Sequence, residues 1–447
     1  MAMQRSSVPT ILRRARRGAL AALALGLALG LARGAGAEES FEDLVANLKS
    51  PTWRTRQRAA QELGKSRRRE AVAPLSALVR DPEVRVRIAV VDALRDLRDL
   101  SAIPALVASL QDGDPDIRSE AIGAIVEIYA ERDRSGPLVR FLETFSDEYD
   151  RQSVPPYTRV DAAVWRGLVG TLKDEKTSIR EASAYSIGIL GGSGVARDLV
   201  AALQDPESDV RAAAATALGK VGTAEDGKSL IPLLADSSAT VRNRAIQAIG
   251  VLRVREAGPA LREMFEQNKR RELGTRVLAA LSRIGDPAQA DLFRELLYSN
   301  DPDHRRLAVE GLGRISDPPT LAAFKKDYQR EGNGDVRLAY NFAIVLLGDR
   351  AFLDAIVLAL GSTNAKQARG YILELGPGLV PDLYPYLNDK DPEVRGALCD
   401  LLAQLGDPGS VARLSPLLAD PNSRVVDRAN RAIEKLRRAS GGSAPRP

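Results

Sequence analysis

One histidine, His304, and one cysteine, Cys399, are the only residues of their kinds among 447. Metal centres built from His and Cys need several such ligands, so none can be assembled around these two. A Ser/His/Asp triad would have to use His304, and no nucleophile motif accompanies it. No glycine-rich phosphate loop follows a strand, because no segment reads as a convincing strand. Cys399 follows Leu398 on an apolar stripe and reads as a buried, inert thiol with no cysteine partner. The sequence therefore predicts no catalytic residue, no cofactor and no metal ligand.

Arginine is what recurs. Arg56, Arg87, Arg118, Arg180, Arg211 and Arg242 are separated by 31, 31, 62, 31 and 31 residues, and 62 is twice 31. A guanidinium can grip a carboxylate with two parallel N–H bonds, so such a series could bind anions or tie structure together. Each arginine sits beside an apolar stripe residue, six positions after a capping Asp or its equivalent. That placement favours a structural ladder. Arg305, Arg337 and Arg395 extend the series, and Asp81, Asp205, Asp236 and Asp389 are its expected acidic members.

A fixed period of this length is the mark of stacked repeats. The clearest unit runs Asp205-Pro206-Glu207-Ser208-Asp209-Val210-Arg211 and on to Ala217-Leu218-Gly219. Asp205 is expected to cap a helix, with Pro206 at its first position, where a missing N–H costs nothing. Val210, Ala213 or Ala214, Ala217 and Leu218 recur at helical spacing, and Gly219 and Gly222 mark the stop. A second, shorter helix follows through Leu230, Ile231, Leu233 and Leu234. Each unit is thus a helical hairpin, and about eleven hairpins plus a final helix are expected. Leu273–Gly285 and the short unit near 364–387 lack the aligned arginine.

Asp-Pro-x-x-x-Val-Arg followed by Ala-Leu-Gly resembles the HEAT repeats, in particular the short bacterial subgroup also found in phycobiliprotein lyases. The resemblance covers roughly residues 41–438 and implies an all-α solenoid. It also implies that the Asp and Arg residues bond within and between units, and that the second helices line the concave surface. The related deoxyhypusine hydroxylases hold iron with His-Glu pairs, and this chain has no such pair. Lyase activity is excluded by no single residue, but no bilin site is evident.

The first 37 residues stand apart. Arg5, Arg13, Arg14, Arg16 and Arg17 precede an apolar run over 19–32, and Ala35-Gly36-Ala37 stands ahead of Glu38. This reads as a secretory signal peptide, so the chain is expected to be exported, most plausibly to a periplasm, with no integral membrane segment after cleavage. The full chain has 64 Lys+Arg and 59 Asp+Glu. Residues 1–37 hold six arginines and no acid, which leaves 64 − 6 = 58 against 59. The net charge of the remainder is near −1, and nucleic acid is not an expected partner. Residues 38–439 form the solenoid, and 440–447, rich in Gly, Ser and Pro, form a disordered tail.

Two irregularities point toward a partner. The series skips a beat around 147–157, where Tyr149, Pro155, Pro156 and Tyr157 interrupt the stripe. That stretch is expected to be a loop replacing the first helix of a hairpin. Eleven of the 20 aromatics lie between Phe265 and Tyr386. Tyr328, Tyr384 and Tyr386, with Lys325, fall late in second helices and would suit a protein partner. The expected function is a non-catalytic scaffold or assembly factor, binding a protein through the concave face. The alternatives are a lyase-like enzyme subunit, or a binder of envelope polysaccharide or lipid.

Overall fold

The computed structural model describes residues 39–129, 160–316 and 319–439. The chain divides into two units, 1–221 and 222–447. The described residues are helical throughout, with no strand among them.

Unit 1 opens with α1 (Phe41–Asn47) and continues as four hairpins. These pair α2 (Trp53–Lys65) with α3 (Val72–Ser76), α4 (Val84–Leu97) with α5 (Ile103–Ser109), α6 (Pro115–Tyr129) with α7 (Ala162–Thr171), and α8 (Thr177–Leu190) with α9 (Ala196–Ala202). It closes on α10 (Ser208–Val221). Unit 2 opens with α11 (Ala224–Gly227) and a 3-10 turn, Lys228–Ala235. Six hairpins follow: α12 (Ala239–Leu252) with α13 (Gly258–Asn268), α14 (Glu272–Ile284) with α15 (Ala290–Leu296), α16 (Pro302–Ile315) with α17 (Pro319–Tyr328), α18 (Gly334–Leu346) with α19 (Leu353–Leu358), α20 (Ala365–Leu375) with α21 (Val380–Leu383), and α22 (Pro392–Leu405) with α23 (Ser410–Leu414). The last helix is α24 (Ser423–Ala439). Among the described residues unit 1 thus holds four hairpins and unit 2 six.

First helices are long, and second helices are short and often end in 3-10 turns. The difference follows from what packs where. Successive first helices meet at glycine and alanine: a Cβ on Gly64 would stand 2.7 Å from the Cα of Ala93, and one on Gly250 would stand 2.9 Å from that of Ala280. Gly313 meets Ala343 in the same register. Second helices carry bulk instead, with Phe265, Phe293 and Phe324 fully buried on α13, α15 and α17. Small residues on one layer and large ones on the other bend a stack toward the small side.

The bend is visible in unit 2. Arg253, just past the end of α12, donates to Glu374 of α20 at 3.0 Å, four hairpins and 121 residues later. Packed helices lie about 8–10 Å apart, so four steps of a straight stack cover roughly 30–40 Å. Two side chains cannot span that, so the ends of the first helices lie on the inside of the curve. In unit 2 this corrects the expectation that second helices line the concave surface.

One other expectation changes. The cap moves: α10 begins at Ser208, so Asp205 and Pro206 form the turn before it, with Asp205 accepting from the Glu207 N–H. Asp301-Pro302 and Asp391-Pro392 do show Asp as N-cap and Pro at the first helical position. The skipped beat shows in the ladder as well. Arg118 pairs with Asp174, 56 residues on, where most rungs span 25, and 56 − 25 = 31. One full period has been inserted between the two helices of a single hairpin, α6 and α7. Its ends meet where the Asp161 N–H donates to the Tyr129 hydroxyl. Tyr149, Tyr157 and the 147–157 loop lie outside the described residues, as do residues 1–37 and the 440–447 tail.

Candidate functional site

The arginine ladder is built as a two-way clamp. Arg87 donates Nη1 to the carbonyl of Asp81, six residues back in its own hairpin. It also donates Nε and Nη2 to the two carboxylate oxygens of Asp112 in the next, at 2.7 and 2.9 Å. Arg56 with Asp81, Arg118 with Asp174, Arg180 with Asp205 and Arg395 with Asp420 repeat this geometry. Arg305 does so with Glu331. Each acid also accepts a backbone N–H two residues on, such as Glu83 to Asp81. Burial pushes Asp81, Asp112, Asp174 and Asp205 upward, but the arginine hydrogen bonds prevail and hold all four below the usual carboxylate range.

Not every assigned arginine is a full rung. Arg211 bonds the carbonyl of Asp205 in its own hairpin as the other rungs do, whereas Arg242 bonds only the carbonyls of Asp236 and Ser237 in its own hairpin. Twenty-five residues past Arg242 stands Gln267, which offers no carboxylate. Asp389 contributes its carbonyl to Arg395. Arg337 leaves the ladder and bonds the Tyr328 hydroxyl at 3.2 Å, with its guanidinium over that ring.

The lone histidine and cysteine are core residues. His304 is 7% exposed and stands edge-on to Phe265. Its Nε2 has no hydrogen-bond partner and lies 3.7 Å from Asp301. Cys399 is fully buried, and burial pushes its thiol up to about 12. No group of His, Cys, Asp or Glu that could hold a metal occurs among the described residues.

Lys325, Tyr328, Tyr384 and Tyr386 all sit in the second-helix layer, on the outside of the curve. Lys325 pairs with Asp349 at 2.6 Å. Tyr328 packs edge-on against Phe352. Tyr384 donates to Asp407 at 2.9 Å, and Tyr386 donates to Asp354. Each ties its hairpin to a neighbour, so the structure brings them into one layer as connectors. Tyr298, on the turn after α15, is 79% exposed.

The inner layer holds groups that spacing alone did not single out. In the repeat register they lie one, five and nine positions after the ladder arginine. On α16 these are Arg306, Glu310 and Arg314, and all three are ion-paired. Unit 1 carries acids at the same places: Asp92 and Asp96 on α4, Glu127 on α6 and Glu181 on α8. Arg95 serves Asp92 and Glu120 at 2.6 Å each. Burial holds Asp92 and Glu127 above the usual range despite that cation. No cation among the described residues offsets Glu181. Burial, and then the Asp209 charge, push its carboxyl up to about 7. On α6, Gly123 stands where a Cβ would meet nothing within 4 Å. On the outer layer of the same unit, a cleft of about 310 Å³ opens beside the Arg118–Asp174 rung, next to Arg166 and Gly170.

Hairpins repeating at one period, most of them tied to the next by a part-buried Arg–carboxylate clamp, define an α-solenoid. The HEAT-repeat family description matches residues 41–126, 166–250, 227–312 and 348–437. The chain belongs to the HEAT-repeat family. No relative among curated protein sequences matches it. Among solved structures it is similar to an engineered protein, at 19% identity over 89% of this chain and 98% of that one, with a TM-score of 0.41. It is similar to YibA of Escherichia coli, at 16% identity over 70% of this chain and 98% of that one, with a TM-score of 0.41. It is also similar to the CpcE–CpcF complex of phycocyanin lyase from Nostoc, at 18% identity over 71% of this chain and 98% of that one, with a TM-score of 0.28.

Proposed function

We propose that this chain is a non-catalytic scaffold or assembly factor, exported by its N-terminal segment, that binds another protein through the inner face of its first helices. One observation carries the reading. Glu181 is a partly buried carboxyl with a like charge beside it and no cation among the described residues to offset it. Such a group is costly in the free protein and gains from a partner's Lys or Arg, because pairing restores its charged form. A basic segment lying along Asp92, Glu127 and Glu181 supplies that pairing.

Export rests on the charged start, apolar run and Ala-Gly-Ala of residues 1–37. No helix among the described residues is long and apolar enough to cross a membrane. Catalysis is not part of the proposal, since the side chains best suited to it, His304 and Cys399, are packed into the core.

Photo-crosslinking in envelope extract tests the surface. A crosslinker at Asp96 on the inner face should capture a discrete protein that one at Arg197 on the outer face does not. Capture from Arg197 or Lys326 instead would move the site to the outer layer, where Tyr328, Tyr384 and Tyr386 lie.

A further inference from the structure

The inner face of unit 2 is filled by its own side chains, and the fill is ionic. Arg314, whose side chain is 6% exposed, donates Nε and Nη2 to the two oxygens of Glu374, at 2.8 and 2.9 Å. That bond skips a hairpin, from α16 to α20. Arg314 also donates Nη1 to the hydroxyl of Ser282 on α14 at 2.8 Å. Glu374 takes its third bond from Arg253, four hairpins away. Beneath these contacts Tyr371 donates to Glu310 at 2.6 Å and stacks on Phe342, with ring centroids 4.2 Å apart. Tyr371, Glu310 and Phe342 are 4%, 6% and 0% exposed.

Two features set these contacts apart from the ladder. Ladder rungs join adjacent hairpins and would survive any gentle change of curvature. Bonds that skip hairpins would not, because each added degree of bend is multiplied along the stack. Arg253 is also held at φ 55°, a left-handed position that Gly191, Gly285 and Gly406 occupy after other first helices and that Arg67, Arg98 and Ser316 share. A side chain there is strained, and its guanidinium, 58% exposed, gains only the salt bridge to Glu374.

We propose that Glu374, gripped by Arg253 and Arg314, is a latch that holds the inner face of unit 2 shut. Released, the first helices of unit 2 spread, and the buried Glu310, Phe342 and Tyr371 reach solvent. The closed form is the resting state, and salt or a competing charged partner shifts the balance. This holds whether or not the inner face of unit 1 binds a protein.

Spin labels at Val251→Cys on α12 and Gln404→Cys on α22, in a full chain carrying Cys399→Ser, read the span directly by pulsed electron resonance. The expected result is one short, narrow distance in dilute salt. It should lengthen and broaden at roughly 1 M KCl, where screening reaches only about 3 Å, and in Arg253→Gln and Glu374→Gln without added salt. Helicity is followed by circular dichroism. If Glu374→Gln loses helicity, Arg253→Gln decides, since it removes an exposed side chain only. A distance unchanged in Arg253→Gln and at high salt overturns the proposal and leaves the curvature to helix packing alone.

Discussion

Glu181→Gln is the most informative single change. An ordinary glutamate titrates near 4.5, whereas Glu181 is pushed up to about 7 by burial and Asp209. The folded chain therefore holds this proton more tightly than the unfolded chain. Stability from the protonated form is complete below about pH 4.5 and is lost as pH rises through about 7. The interval is roughly 2.5 pH steps at about 1.4 kcal/mol each, a ceiling of about 3.4 kcal/mol. Glu181 is only partly buried, and solvent screening reduces this to about 1–2 kcal/mol. Glutamine keeps the shape and cannot ionise, so the variant should match the parent near pH 4 and exceed it by that amount near pH 8. Both tryptophans, Trp53 and Trp165, lie in unit 1. Urea unfolding followed by their fluorescence thus reports the unit that holds Glu181. Identical pH profiles for the two proteins would refute the reasoning, and a gain at about pH 4 as large as at pH 8 would show a cause other than charge.

Arg395→Ala should strip protection from α24 in hydrogen exchange and cost about 3 kcal/mol, because Asp420, with a side chain 4% exposed, loses a bidentate partner. Arg337→Ala should cost less, as its bond is to the half-exposed Tyr328. The ladder carboxylates lie below the ordinary range, so their contribution persists above about pH 4 and fades as pH falls through their lowered values, which acid titration of helicity checks. Cys399 should resist thiol reagents in the native protein and react fully in denaturant. Tyr384→Phe should lower stability by about 1 kcal/mol through loss of the Asp407 bond. Partner capture lost from this variant at unchanged stability would assign the tyrosine to binding. N-terminal sequencing of the exported protein should begin at Glu38, and a full-length cytosolic chain would end the export proposal.

The repeat was legible because it is written in local chemistry. Spacing of Val210, Ala217 and Leu218 makes a helical stripe in any context, and a guanidinium six residues after an acid has few other uses once helices stack. The ladder from Arg56 to Arg395 followed from that, as did the burial of Cys399. Sequence could not show which acid each arginine reaches, and so could not separate Arg242 and Arg337 from true rungs. Nor could it show that the extra period after Tyr129 lies between two helices of one hairpin, which only the Arg118–Asp174 pair reveals.

Curvature was decided by tertiary packing. Gly64, Gly250 and Gly313 touch the alanines of the next first helix, and Phe265, Phe293 and Phe324 fill the second-helix layer, contacts that no local spacing announces. Their opposed placement on the two layers brings the first helices together and turns them inward. That choice moved the tyrosines to the outer layer and placed Arg253 against Glu374, 121 residues apart. In unit 1, stacking of α8 on α10 sets Glu181 near the Asp209 charge. A period fixes which residues are equivalent, but the side on which the stack closes depends on the summed volumes of two layers. That sum exists only when every hairpin is in place.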